Sequence, residues 1–184
     1  LFCVFGRRTL GVEVVPVGDH LQGRGEACVL QLPHVVSGKM VSLAAFDGKK
    51  ALLIMFICKH CPYVQHLEEE IARIGADYAA RDIGIVAISA NDASQYREDA
   101  PDQLRIMAQE LGFTFPLCYD ERQVTAKAYT AACTPDFFLF DSERRLVYRG
   151  QLDRSRPGND KPVNGCDLRA AIDAVLAGRS VDPE

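Results

Sequence analysis

The sequence predicts an α/β domain: a central mixed β-sheet flanked by helices, with a β-hairpin ahead of it. Three observations carry this. Residues 51–57 (ALLIMFI) and 83–89 (IGIVAIS) are short, unbroken apolar runs rich in branched side chains, as in strands buried on both faces. Between them, Val64, Leu67, Ile71 and Ile74 recur at helical spacing, with Glu68, Glu69, Glu70 and Arg73 facing away from that stripe. A strand–helix–strand unit of this kind pairs its strands in parallel through a right-handed crossover. Third, the runs 136–140 (DFFLF) and 146–149 flank Asp141-Ser142-Glu143, which reads as a hairpin turn and adds antiparallel strands.

The remaining elements follow in chain order. Residues 1–24 are read as an N-terminal extension, weakly alternating at 12–17 and interrupted by Pro16, and residues 25–184 as one domain. The segments 29–32 and 40–43, joined through Ser37-Gly38, predict the first hairpin, and Asp47-Gly48 a turn before the central strand. The polar stretch 91–101 reads as a loop with a turn at Gln95-Tyr96. Leu104, Met107, Ala108 and Leu111 then mark a helix closed by Gly112. Residues 116–118 form a short strand, and Asp120 is placed to cap a helix over 124–129. Residues 153–165, rich in Pro, Gly, Asn and Arg, read as a loop. Asn164 caps a last helix whose face is Leu168, Ala171, Ile172 and Val175, ending at Gly178.

The chemistry is concentrated where the central strand gives way to the first helix, at Cys58-Lys59-His60-Cys61-Pro62. Unpaired N–H groups at a helix start favour negative charge, and the thiolate is the reactive form of cysteine. On this reading Cys58, the more exposed thiol, attacks, and Cys61, largely covered one turn into the helix, resolves the mixed disulfide. A cation at Lys59 or His60 lowers the pKa of a neighbouring thiol and favours the reduced form.

A C-x-x-C between strand and helix resembles the thioredoxin superfamily. CKHCPYV together with Cys133-Thr134-Pro135-Asp136-Phe137 resembles the thioredoxin-like redoxin (AhpC/TSA-related) proteins over residues 25–178. The resemblance implies a thioredoxin-like fold with an N-terminal β-hairpin and an inserted helix. It implies Thr134-Pro135 as a cis peptide opposite the C-x-x-C, offering backbone hydrogen bonds to an extended substrate. Pro62, Cys133, Thr134 and Pro135 join Lys59 and His60 as tuning or substrate-binding residues. The polar loop 154–164 borders the site, with Arg156 available to an anion.

The expected activity is thiol–disulfide exchange on protein or small-molecule disulfides, with re-reduction by a thioredoxin or glutathione system and with no cofactor and no metal. Two other classes stay open. Peroxiredoxins carry Pro seven residues and Thr or Ser three residues before the peroxidatic Cys. Those positions hold Ala51 and Met55 before Cys58, and Ile54 and Cys58 before Cys61. A metal-binding thioredoxin-fold module would use the two cysteines, with Cys133 and His66 as further ligands. Copper-assembly relatives, however, space their cysteines by three residues and add a distant His, whereas the histidines here are His20, His34, His60 and His66.

Composition narrows the classes. The 184 residues are 48% hydrophobic and 25% charged, ordinary for a globular domain with a substantial core. A net charge of -4 gives no electrostatic case for nucleic acid or an anionic membrane, and no apolar run approaches the roughly 20 residues of a membrane span. Seven cysteines, an odd count, cannot all pair within one chain. Cys3, Cys28, Cys118 and Cys166 have no local motif and read as buried or free thiols. Such usage fits a reducing compartment, so the expected location is cytoplasmic.

Overall fold

A computed structural model describes residues 30–181. The expectations for residues 1–24, Cys3 and Cys28 lie outside the described residues. In chain order the elements are β1 (Gln31–Pro33), β2 (Met40–Ser42), β3 (Ala51–Phe56), α1 (Pro62–Tyr78), β4 (Ile83–Ser89), α2 (Pro101–Glu110), β5 (Leu117–Tyr119), α3 (Val124–Ala128), β6 (Asp136–Phe140), β7 (Leu146–Gly150) and α4 (Cys166–Leu176). Short 3-10 turns occupy Leu43–Phe46 and Arg97–Asp99. No described helix is long and apolar enough to cross a membrane.

The main sheet has the order β5-β4-β3-β6-β7. β3, β4 and β5 run parallel, and β6 and β7 pair antiparallel on the far side of β3. β3 is thus central, and all six of its residues are buried. Alternation explains why its sequence is uniformly apolar. Leu53 and Met55 pack with Val64, Ile71, Leu104, Leu168 and Ile172 on the face covered by α1, α2 and α4. Leu52, Ile54 and Phe56 pack with Val86, Ile88, Ala126, Tyr129 and Phe138 on the other, toward α3 and the β1–β2 hairpin.

The helix signals hold with local adjustments. Gly112 takes a left-handed φ of 64°, and the Phe113 N–H closes α2 on the Ala108 carbonyl at 3.0 Å. Asp120 accepts the N–H groups of Val124 at 3.1 Å and Ala126 at 2.9 Å, capping α3 from outside its first turn. Asn164 accepts the Cys166 N–H at 3.1 Å at the start of α4.

One expectation fails inside α1. Glu70 is not on a solvated face: it is 2% exposed, and Arg169 of α4 grips its Oε1 at 2.9 and 2.7 Å while Arg73 binds its other oxygen. The carboxylate tolerates burial because it is ion-paired and hydrogen-bonded. Its partner lies 99 residues away, so no local pattern announces it.

Gly75 lets α1 approach the segment before β5. A β-carbon there would sit 2.5 Å from the Phe115 ring and 3.0 Å from Thr114 Oγ1. Gly75→Ala is therefore expected to destabilise the fold by about 1–2 kcal/mol, overpacking outweighing the better helix propensity of Ala. Urea denaturation reads this, and an unchanged or higher midpoint would mean that Phe115 swings aside freely.

Candidate active site

Two parallel strands deliver the site. β3 ends at Phe56 and leads into Cys58; β4 ends at Ser89 and leads into Asn91 and the loop to Asp99. Ligand and catalytic groups collect at such carboxyl ends. β6 supplies the third wall, through Thr134 just ahead of it. The start of β6 is held by Asp136, which accepts the Ala132 N–H at 3.3 Å and Arg149 Nη2 at 2.9 Å.

Helix α1 begins later than expected. Cys61 is its N-cap and Pro62 its first residue, so Cys58 precedes the helix rather than starting it. Pro62 brings a fixed φ and no N–H, which suits a first helical position. Exposure does not separate the two sulfurs as expected: Cys58 is 0% and Cys61 3% exposed. Both are covered in the reduced protein, because Thr134 lies across them. Its Oγ1 is 3.1 Å from Cys58 Sγ, and its carbonyl oxygen lies 3.4 Å from Cys61 Sγ. The Thr134-Pro135 peptide is cis and faces the C-x-x-C.

The two thiols lie against each other, and the ionisation of one bears on the other. Cys61 loses its proton first, held down to about 5 chiefly by the Cys58 thiol donating to it, with the N–H groups of Val64 and Tyr63 adding to the effect. Cys58 is pushed above the ordinary thiol range by that same bond, then by burial and by the Asp99 carboxylate. Cys61 is thus the more acidic of the two thiols, chiefly through the Cys58 thiol beside it and secondarily through the start of the helix, whereas the sequence placed the reactive thiolate on Cys58. The approach to the Thr134 carbonyl belongs to the fully protonated pair, in which Cys61 still has an S–H to donate.

The residue missed by sequence reasoning is Asp99. It is 0% exposed, and its carboxylate gathers the C-x-x-C loop. Oδ1 accepts the N–H groups of Lys59 at 2.7 Å and His60 at 3.1 Å; Oδ2 meets His60 Nδ1 at 2.5 Å and accepts Asn91 Nδ2 at 2.8 Å. The His60 ring stacks on Tyr96, centroids 4.2 Å apart and 8° from coplanar. His60 thus stands not as a lone cation beside Cys58 but as half of a pair with a buried carboxylate. Asp99 sits 39 residues from His60. The one available signal was position: an acidic residue in the loop after a buried parallel strand, next to the strand that carries the cysteines.

The other expected site residues disperse. The Lys59 ammonium reaches Gln103 Oε1 of α2 at 3.4 Å. Cys133 is reduced and exposed, in the segment ahead of β6. His66 meets Ser155 Oγ at 2.6 Å and joins no ligand cluster; among the described residues the one grouping of metal-ligating atoms is Cys58, His60 and Asp99. Arg156 is not available to an anion. Its guanidinium is taken up within its own loop, by the carbonyls of Asp153 at 2.7 Å and Ser155 at 2.5 Å and by the Gln151 side chain. That loop is organised by buried Asp153, which accepts the N–H groups of Ser155, Asn164 and Gly165, each at 2.8 Å. Cys118 is buried, with its thiol pushed up to about 12 by desolvation, and Cys166 is exposed and reduced.

The chain belongs to the Redoxin family, whose pattern matches residues 27–165. Its fold is thioredoxin-like. An uncharacterized conserved protein from Geobacillus kaustophilus shares 49% identity over 85% of this chain and 82% of that one, with a TM-score of 0.83. A hypothetical protein from Sinorhizobium meliloti 1021 shares 47% identity over 85% of each chain, also at 0.83. A thiol:disulfide interchange protein of the thioredoxin family from Chlorobium tepidum TLS is similar in fold, at 17% identity over 82% of this chain and 99% of that one, with a TM-score of 0.60. No curated protein matches the sequence.

Proposed function

We propose that this Redoxin-family protein is a thiol–disulfide oxidoreductase with Cys58 and Cys61 as its redox pair. The observation that carries the reading is the meeting of both sulfurs at one residue, Thr134, whose Oγ1 lies 3.1 Å from Cys58 Sγ and whose carbonyl oxygen lies 3.4 Å from Cys61 Sγ, at the junction of β3 and α1. Two sulfurs so placed can close an intramolecular disulfide without moving an element.

Cys58 attacks first. As its sulfur bonds to one sulfur of the substrate disulfide, its proton passes to the Cys61 thiolate and the other substrate sulfur leaves as a thiolate. Cys61 then attacks the Cys58 sulfur and passes that proton to the departing substrate sulfur, closing the Cys58–Cys61 bond as the second half of the substrate leaves as a thiol. The order rests on position: Cys58 precedes the helix and Cys61 is its N-cap, so the sulfur outside the helix takes the substrate and the one at the helix start resolves. Oxidation of a substrate dithiol runs the same steps backwards. A thioredoxin or glutathione system would return the pair to dithiol. Pro62 and Tyr63, both exposed beside Cys61, and the backbone at Thr134 would receive the substrate chain.

Incubating the reduced protein with a disulfide-bonded protein substrate tests this. One substrate disulfide should be consumed per chain, with a Cys58–Cys61 bond found by peptide mapping. A substrate left oxidised while both thiols stay free would overturn it.

A further inference from the structure

We propose that the reduced site binds one zinc ion, held by Cys58, Cys61, His60 and Asp99. The inference rests on the pair being reduced, not on its turnover. Geometry comes first. One ligand atom each from Cys58, His60 and Asp99 lies within 4.8 Å of the other two, and Thr134 touches both sulfurs, at 3.1 Å from Cys58 and 3.4 Å from Cys61, which puts Cys61 beside the group as the fourth ligand. Two ligands of a tetrahedral zinc, each at about 2.0–2.3 Å, stand roughly 3.3–3.8 Å apart. Closing the set draws the Cys61 sulfur in toward the other three ligand atoms. Two thiolates, an imidazole and a carboxylate are all zinc ligands, and the thiolates exclude hard cations such as magnesium.

Charge is the second support. Asp99 is fully buried beside a pair of thiols, and among its hydrogen-bond partners in the described residues the imidazole of His60 alone can carry positive charge. Ionising the thiols adds negative charge to a covered site, which a divalent cation would neutralise. The third support is preorganisation. Asp99 is held in place by two backbone N–H groups at Oδ1 and by the Asn91 amide at Oδ2, and stacking on Tyr96 holds the His60 ring.

Metal entry replaces the protons on the two thiols and changes no oxidation state. When the pair passes two electrons to a substrate disulfide, the substrate leaves as two thiols, the Cys58–Cys61 bond forms, both thiolate ligands are lost and zinc departs. Zinc would thus hold the site in its reduced, inactive form.

The test is zinc titration of the reduced, metal-free full chain against a chromophoric chelator, with cobalt substitution as a spectral check. One zinc per reduced chain, none on the disulfide form, and visible cobalt bands of a tetrahedral thiolate site are expected. His60→Ala and Asp99→Asn should each weaken binding by about tenfold or more, while Cys166→Ser, on the exposed start of α4, should not change it. His60 is half-exposed, so its variant is the one expected to keep the native fold, checked by circular dichroism. Zinc retained by the oxidised chain, wild-type affinity in both His60→Ala and Asp99→Asn, or no binding at micromolar zinc would each overturn the site. Disulfide reduction measured in metal-free buffer reads the oxidoreductase proposal separately.

Discussion

Cys58→Ser is expected to abolish disulfide reduction, by about 10⁴-fold or more, because the sulfur that forms the covalent intermediate is gone. Cys61→Ser should lose turnover equally but keep the first chemical step, so that a mixed disulfide on Cys58 accumulates and appears as an added mass. Accumulation on Cys61 in the Cys58→Ser protein instead would reverse the roles. The pH dependence gives a second readout. In the wild type, thiol alkylation should rise as pH increases through about 5, where Cys61 ionises. The Cys58 thiol is the first cause of that low value, so in Cys58→Ala the rise should move toward the ordinary thiol range. A charge stabilised in the dithiol and absent from the disulfide makes the disulfide the stronger oxidant. Each pKa unit below an ordinary thiol corresponds to about 1.4 kcal/mol, or about 30 mV for this two-electron couple. Redox titration of Cys58→Ala cannot report this couple, so the wild-type potential is measured against pH, and a midpoint that ignores ionisation near 5 would sink the argument.

Asp99→Ala is expected to cost about 3–5 kcal/mol of stability, the scale of removing one partner from a buried ionic network. The loss leaves the Lys59 and His60 N–H groups without their acceptor in a covered site and frees the His60 ring. Asp99→Asn should cost less, since an amide oxygen still accepts at the Oδ1 position. Both variants remove a negative charge that pushes the Cys58 pKa up, so both should raise Cys58 reactivity at neutral pH. A merely structural Asp99 would show the stability loss without the reactivity gain. Urea midpoints together with alkylation rates separate the cases, and an Asp99→Ala protein within about 0.5 kcal/mol of wild type would refute the capping role.

What the sequence made legible was local. The uniform apolarity of β3 and β4, the stripe of α1, Gly112 after α2 and the Thr134-Pro135 step ahead of β6 each declare themselves within a few residues. The acidic residues that organise the interior do not. Asp99, Glu70 and Asp153 read as ordinary polar positions, because their meaning lies in partners brought near only by folding: Glu70 meets Arg169 across 99 residues, and Asp99 meets Lys59 across 40. The order of the two cysteines was legible, but their electrostatics were not. Pro62 opens the helix about one turn beyond Cys58, so that Cys61 and not Cys58 stands at its N-cap.

The short hairpin has a consequence for how the protein behaves among its copies. β5 is the outer strand of the main sheet, yet its rim is not bare: the Val35 N–H bonds the Leu117 carbonyl at 2.9 Å, and His34 bridges to Cys118. An uncovered outer strand offers its backbone to any other chain and so invites aggregation. Here the β1–β2 turn occupies those groups and shields the Cys118 sulfur beneath them. Solubility at high concentration, and resistance of Cys118 to intermolecular crosslinking, therefore depend on a few residues of the β1–β2 turn at the edge of the sheet.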